Sequence, residues 1–244
     1  MKDTMTLCEH YQNYFYTVKA NTQDLLEQAY HVRYQVYCEE LKKLSPNSEN
    51  EFQESDEWDD DAVHGLLFYK RDKKPIGNIR IITLEGDTEK KLPIELYYKK
   101  EFDFRGSGIT SLKEGKTGEV SRMALISRFR RRPSDKDYSI NNNMRENDHE
   151  NRRFSTNYLP MSLTFSSISL MLEHALDYGI ALMEPRLARL LVRFGVELKQ
   201  IGQPIDHFGI RAPFIIFPKK TYQNLMPEYR LLFDIISSEL KDSH

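Results

Sequence analysis

Apolar positions along the chain follow two periods, every second residue and every third or fourth, separated by polar stretches that follow neither. Asn13 to Val18 reads Asn-Tyr-Phe-Tyr-Thr-Val, an aromatic and β-branched run that predicts a strand. From Asp24 to Leu44 the residues Leu25, Ala29, Val32 and Val36 recur at helical spacing, with Asn21 or Thr22 as N-cap, and predict an amphipathic helix. Residues 45–61 show no period and carry Glu49, Glu51, Glu54, Asp56, Glu57, Asp59, Asp60 and Asp61 without a Lys or Arg, so they predict an exposed acidic loop. Val63 to Tyr69 and Ile76 to Leu84, joined by Arg71-Asp72-Lys73-Lys74-Pro75, predict an antiparallel hairpin. Thr117 to Ile126 predicts another strand, and the polar run Ser127 to Tyr158 a mobile surface insertion.

Met161, Phe165, Ile168, Leu172, Ala175 and Leu176 then form a helical stripe behind Pro160, with Gly179 as its C-terminal cap. Ile180 to Met183 reads as a short buried strand. Pro185 suits a first helical position, Leu187, Leu190, Leu191 and Phe194 fall at i, i+3, i+4 and i+7, and Gly195 closes that helix. Strands at Val196 to Ile201 and Phe214 to Phe217 and a last helix at Pro227 to Leu240 complete the order. This succession predicts a mixed α/β (α+β) sheet in one domain over residues 1–244, with the insertion at 127–158.

With 39% hydrophobic and 30% charged residues among 244, the chain can bury a core, which excludes a disordered tail. A net charge of −2 gives no whole-chain field to recruit nucleic acid. No window approaches the roughly 18 apolar residues of a membrane span, and Lys2, Asp3, Glu9 and His10 interrupt any export signal. Two cysteines, Cys8 and Cys38, make no disulfide framework, so a cytoplasmic protein with free thiols is expected. Cys8-Glu9-His10 with Cys38 fits no zinc spacing, His31 is too far along the helix to activate Cys38, and His64 and His174 read as structural.

Charged residues that interrupt apolar elements are the candidates for chemistry, because an isolated buried charge is costly and must be paired or used. They are Arg33 beside Val32 and Val36, Arg80 within Ile79-Arg80-Ile81-Ile82, and Glu119 and Arg122 in Gly118-Glu119-Val120-Ser121-Arg122-Met123. On a regular strand Glu119 and Arg122 point to opposite faces, and a single bulge would bring them together. The lone Trp58 inside the acidic run can anchor the loop and aim its carboxylates.

These residues carry a resemblance. Arg33 followed by Tyr37, the run Glu54-Ser55-Asp56-Glu57-Trp58-Asp59, Arg80 after Asn78-Ile79, and Glu119-x-x-Arg122 resemble the ordered motifs of the acyl-homoserine-lactone (autoinducer) synthases, and Arg186 to Gly195 resembles their penultimate helix. That family lies within the GNAT acyltransferase superfamily. The autoinducer synthases carry a Trp after the first helix that helps form the S-adenosylmethionine pocket, and Leu44 to Phe52 has none. The run Gly202-Gln203-Pro204-Ile205-Asp206-His207-Phe208-Gly209-Ile210-Arg211-Ala212-Pro213 is similar instead to the N-acyl amino acid synthases, including those associated with PEP-CTERM and exosortase systems.

The resemblance implies a GNAT-like fold with helices on both faces of a sheet splayed between two parallel strands, here 117–126 and 180–183. It implies transfer of a long-chain acyl group from acyl carrier protein to the α-amine of an amino acid, with a phosphopantetheine thioester as donor and no permanently bound cofactor. Glu119 is the implied base, Glu54 the second candidate, and Arg122 joins them. Arg33, Tyr37, Asp56, Trp58, Asp59, Arg80, Met123, His207 and Arg211 are implied to hold substrate and the charged network. A basic turn, Arg128, Arg130, Arg131 and Arg132, replaces a Gly-rich phosphate loop and suits docking of an acidic carrier. The alternatives are an acyl-homoserine-lactone synthase using S-adenosylmethionine and, from another class, a non-catalytic acyl- or nucleic-acid-binding module.

Overall fold

In the computed structural model, which describes residues 6–46, 52–83, 90–130 and 147–242, the chain opens on a helix that the hydrophobic pattern did not announce. Thr6 and Glu9 cap one another's backbone N–H groups in a reciprocal box, and α1 (Leu7–Tyr14) follows. The expected strand at 13–18 therefore starts later: Asn13 and Tyr14 finish α1, and β1 is Phe15–Lys19. Thr22 caps α2 (Gln23–Tyr34), which loosens into a π-helical turn over Gln35–Glu40 and stops at Lys42, whose φ is +51°. The expected helix to Leu44 is cut short there.

The hairpin forms as expected from β2 (Ala62–Tyr69) and β3 (Lys74–Ile82). After the short α3 (Pro93–Tyr97) comes β4 (Thr117–Leu125). The expected insertion at 127–158 is helical at both ends, in α4 (Ser127–Arg130) and the first turns of α5 (Asn147–Glu173), while 131–146 lie outside the described residues. β5 (Tyr178–Met183) is followed by α6 (Pro185–Arg193), β6 (Leu198–Gln200), β7 (Ile205–Asp206), β8 (Ile210–Ile216), α7 (Pro218–Asn224) and α8 (Pro227–Lys241). The strand expected at 214–217 is thus the end of β8, whose start pairs with β7 in a small hairpin. α7 carries no apolar stripe, and only Pro218 at its start signalled it.

Gly179 does not cap the long helix. Ala175 takes the left-handed position, with φ +52°, and Leu176 N–H closes back on the Met171 carbonyl at 2.9 Å. Gly179 lies in β5 because a Cβ there would stand 2.5 Å from Met171 Sδ.

The strands run in the order β1-β2-β3-β4-β5-β8-β6, antiparallel except for β4 and β5 at the centre. α5 and α8 cover one face, where Leu159, Leu163, Phe165, Ile168, Phe233 and Ile236 share a core with Ile79, Ile81 and Leu125. α2 covers the other, packing Val32 and Val36 on Ala124. The parallel pairing joins only Thr117–Glu119 to Tyr178–Ile180. Beyond Glu119 and Ile180 the two strands part, leaving backbone groups that face the gap without a strand partner. The splayed centre expected from the sequence is present.

Candidate active site

The gap begins at Glu119, and the register around it decides which side chains can reach it. Arg80 pairs with Ser121 and Ile82 with Glu119, so these four point to the α2 face. Between Asn78 and Arg80 the register against β4 shifts by one residue, and Arg122 at that bulge has φ +49°. The extra residue reverses the alternation. Ala124 then packs with the α2 cluster, while Val120, Met123 and Leu125 pack with the α5 cluster. Arg122 is thereby turned onto the face of Glu119, as a bulge was expected to do. A non-glycine residue in this conformation is strained, and here the strain aims a guanidinium.

Glu119 is 6% exposed and accepts the Ile94 N–H of α3 at 2.7 Å through Oε2. Its Oε1 makes no hydrogen bond or ion pair among the described residues. Burial pushes its carboxyl up to about 7, against the opposing pull of the Ile94 N–H and the Arg80 and Arg122 charges.

Beside it six charged groups close a ring. Arg33 Nε meets Glu54 at 2.7 Å and its Nη1 meets Asp59 at 2.6 Å. Arg80 Nη1 meets Asp59 at 2.9 Å and Asp56 at 2.6 Å. Arg122 Nη2 meets Asp56 at 2.7 Å and its Nε meets Glu54 at 3.2 Å, which completes the circuit. Each arginine has a carboxylate on either side, so the ring is formally neutral and desolvates no uncompensated charge. Burial alone would raise the Asp59 carboxyl, but His64, Arg33 and Arg80 outweigh it and hold the group well below the usual range. Asp56 is lowered in the same way, burial being outweighed by Arg80 and Arg122.

The expectation of an exposed acidic loop holds for Glu57 and Asp60 and is corrected for Glu54, Trp58 and Asp59, which are buried, while Glu49 and Glu51 lie outside the described residues. Trp58 anchors the loop among Ile82, Ile94, Ile180 and Ile215, as an aromatic among acids was expected to do. The Asp56 N–H donates to Asp59 Oδ2 and the Trp58 N–H to Asp56 Oδ1, so the loop also holds its own carboxylates in place. Glu54, the second candidate base, is engaged by two guanidiniums and is 4% exposed.

Three polar neighbours support the ring: His64, read from the sequence as structural, and Asn78 and Ser121, to which the sequence assigned no role. His64 Nε2 stands 3.3 Å from Asp59, and burial, with Arg33 and Arg80 nearby, keeps this ring neutral at pH 7. Asn78 Nδ2 donates to the Arg122 carbonyl at 3.1 Å and so braces the bulge. Ser121 Oγ accepts from Arg80 Nε at 3.0 Å. Polar side chains at 64 and 78 inside apolar strands were the available signal; the Ile94 N–H, a main-chain donor, has none.

Tyr37 donates its hydroxyl to the Met123 carbonyl at 2.8 Å, and the Met123 side chain lies on the α5 face. His207 and Arg211 sit on the β7–β8 hairpin, and the Tyr97 ring of α3 lies 5.3 Å from His207. Lys43 reaches the Phe208 carbonyl at 2.8 Å, joining the segment after α2 to the hairpin tip. In α4, Arg128 faces Asp72 at 3.3 Å and Arg130 faces Glu40 at 3.2 Å. Arg131 and Arg132 lie outside the described residues. Among the described residues no group of three His, Cys, Asp or Glu side chains is placed to hold a metal ion, and no helix is long and apolar enough to cross a membrane. A cavity of about 1010 Å³ between residues 101–110 and 200–203 includes none of the ring residues or Glu119.

Comparison with known proteins agrees with this architecture. The family described as acetyltransferase (GNAT) domain matches residues 32–137, from the end of α2 past β4. A search of the curated proteins finds no match. Among solved structures, TofI in a ternary complex with an inhibitor and MTA superposes with a TM-score of 0.59 at 14% identity, covering 92% of this chain and 99% of that one. MesI, a CoA-dependent acyl-homoserine lactone synthase, gives 0.53 at 14% identity over 92% and 95%. FeeM, an N-acyl amino acid synthase from uncultured soil microbes, gives 0.51 at 15% identity over 87% and 95%. The chain therefore has the GNAT acyltransferase fold, with a GNAT domain match over residues 32–137, in the form shared by acyl-homoserine lactone synthases and an N-acyl amino acid synthase.

Proposed function

We propose that this protein is an N-acyltransferase that moves a long-chain acyl group from a phosphopantetheine thioester on an acyl carrier protein to the α-amine of an amino acid. The observation that carries the reading is Glu119, a buried carboxylate with one oxygen that has no partner among the described residues, at the point where β4 and β5 part. With its carboxyl pushed up to about 7, it is deprotonated often enough near neutral pH to take a proton and basic enough to accept one from an ammonium. The α-ammonium gives one proton to Glu119, the freed amine nitrogen attacks the thioester carbon, the C–S bond breaks, the second proton lost by nitrogen leaves on the carrier thiol, and Glu119 returns its proton to solvent. Main-chain N–H groups facing the gap would stabilise the oxyanion.

The two faces of the gap suit the two substrates. Val120, Met123, Ala181 and Met183 line the α5 face and offer an apolar path for the acyl chain. Glu119, Ser121 and Arg122 offer polar groups on the other. The neutral ring acts as a frame: it holds Arg122 and the Glu54–Asp59 loop beside Glu119 without placing free charge in the gap.

Carrier protein is favoured over coenzyme A by the turn after β4. Both Glu40 oxygens accept the Ser127 N–H, at 2.9 and 3.0 Å, so the chain's own carboxylate occupies the main-chain donor that begins α4. A pyrophosphate there would meet a like charge. Arg128 and Arg130 at the same turn are partly exposed and suit an acidic carrier. The test is thiol release from palmitoyl carrier protein and from palmitoyl coenzyme A, each with single amino acids and with S-adenosylmethionine. Release from the carrier that requires an amino acid supports the proposal. Release that requires S-adenosylmethionine would place the protein with the homoserine lactone synthases, and no release with any acceptor would leave a binding module.

A further inference from the structure

The ring arginines have no charge to spare for a ligand. Arg80 and Arg122 each bridge two carboxylates, and Arg33, whose Nη2 alone lacks a partner, is sealed from solvent at 0% exposure. Arg211 differs. It makes no ion pair and no hydrogen bond among the described residues, and its Nε is hidden from solvent without a partner.

Its place in the fold is the mouth of the gap. Arg211 pairs with Ile205 of β7, and the next residue, Ala212, pairs with Met183 at the free end of β5. Its charge is felt on both sides. After burial, Arg211 is the main cause that holds His207 below its ordinary pKa, with Arg122 adding to it. It also acts on Tyr37, whose hydroxyl is fixed to β4 at Met123. α3 links the two ends, carrying both the Ile94 N–H bound to Glu119 and the Tyr97 ring, which lies tilted 5.3 Å from His207. Glu119, where the gap begins, and Arg211, past its open end, are therefore a proton acceptor and a guanidinium that has no ion pair among the described residues.

We propose that Arg211 binds the carboxylate of the acceptor, which makes the acceptor a free α-amino acid and not a simple amine, amide or ester. The inference rests on the N-acyltransferase reading above. A carboxylate two bonds from the amine, gripped by a guanidinium, fixes the direction in which the amine enters, and it supplies the counter-charge that Arg211 does not find among the described residues. S-adenosylmethionine carries the same carboxylate and amine, so both acceptor classes satisfy this clamp.

The test compares kcat/KM for a free amino acid and for its carboxamide, with palmitoyl carrier protein as donor, in the wild type, Arg211→Gln and Arg211→Lys. S-adenosylmethionine is run as a separate arm to tell the two sources of the carboxylate apart. A hydrogen-bonded charge of this kind predicts that the wild type prefers the free acid by about 10- to 100-fold. Arg211→Gln should reduce that preference to within about 3-fold through a higher KM for the acid, with the KM for the donor unchanged, and Arg211→Lys should retain part of it. A preference that survives in Arg211→Gln, or a change in donor KM alone, overturns the assignment. If Arg211→Gln proves unstable, the wild-type ratio and the lysine variant still decide: equal use of acid and amide by the wild type refutes the clamp. Acylation of no amine by the wild type refutes the function itself, a separate outcome.

Discussion

Replacing Glu119 by Gln should inactivate the protein and at the same time stabilise it, in a pH-dependent way. The substitution keeps the side-chain volume, and its amide oxygen can still accept the Ile94 N–H. What it removes is the charge that burial opposes. The carboxyl is raised from 4.5 to about 7 in the folded chain, so between those values the native state holds a proton that the unfolded state has released. Stability conferred relative to the ionised carboxylate is therefore present below pH 4.5 and declines as pH rises toward 7; above 7 the full cost of the buried charge is borne. At about 1.4 kcal/mol per pH unit, that cost is about 3 kcal/mol. For a chain of this length it corresponds to roughly 6–12 °C in melting temperature. Differential scanning calorimetry should show Glu119→Gln melting higher than the wild type at pH 8 and by a much smaller margin at pH 4.5. Thiol release should fall about 10²- to 10⁴-fold, the usual worth of a general base. In the wild type the rate should climb with pH through about 7, and the residual rate of the variant should lack that limb. Near-normal turnover in the variant, or no gain in melting temperature at pH 8, would refute the reasoning.

Asp59→Asn should destabilise the fold by about 3–5 kcal/mol, because it strips counter-charge from the buried Arg33 and from Arg80; a urea titration showing a loss below about 1 kcal/mol would contradict the closed ring. With Asp56 and Asp59 held below 3.8, the stability they confer is present above that value and lost as pH falls through their lower folded-state values, so circular dichroism should record acid unfolding below about pH 4. Arg128→Glu with Arg130→Glu should raise the KM for the carrier-linked donor several-fold and leave kcat nearly unchanged, whereas an unchanged KM would remove the docking surface. Gly179→Ala should cost about 1–3 kcal/mol in a denaturant titration, since its Cβ would force Met171 aside beneath the parallel pair.

Much of this site was legible as contradiction. Arg80 among isoleucines, Arg33 in an apolar helical stripe and Trp58 among acids each break a local pattern, and the structure shows these residues meeting in or beside one charged ring. The hairpin, β4 and the terminal helix were legible because each has a face that must be buried. Arg122 marks the boundary of what a pattern can say. A bulge could be anticipated, but its position follows from how β3 registers against β4, with Asn78 bracing the Arg122 carbonyl. The same holds for Glu54: as a lone carboxylate in the sequence it competes with Glu119 for the role of base, and only the fold surrounds it with two guanidiniums. α1 was readable from the Thr6-x-x-Glu9 box, but the aromatic run that follows it outweighed that shorter signal.

The central claim, amide formation between a carried acyl group and an amino acid, is tested most directly by mass spectrometry of the product formed from palmitoyl carrier protein and a mixture of the common amino acids, with and without S-adenosylmethionine. The account predicts a palmitoyl amide of one or a few amino acids, formed without S-adenosylmethionine and absent with Glu119→Gln. A palmitoyl homoserine lactone formed only with S-adenosylmethionine, or an unconsumed thioester under every condition, would contradict it.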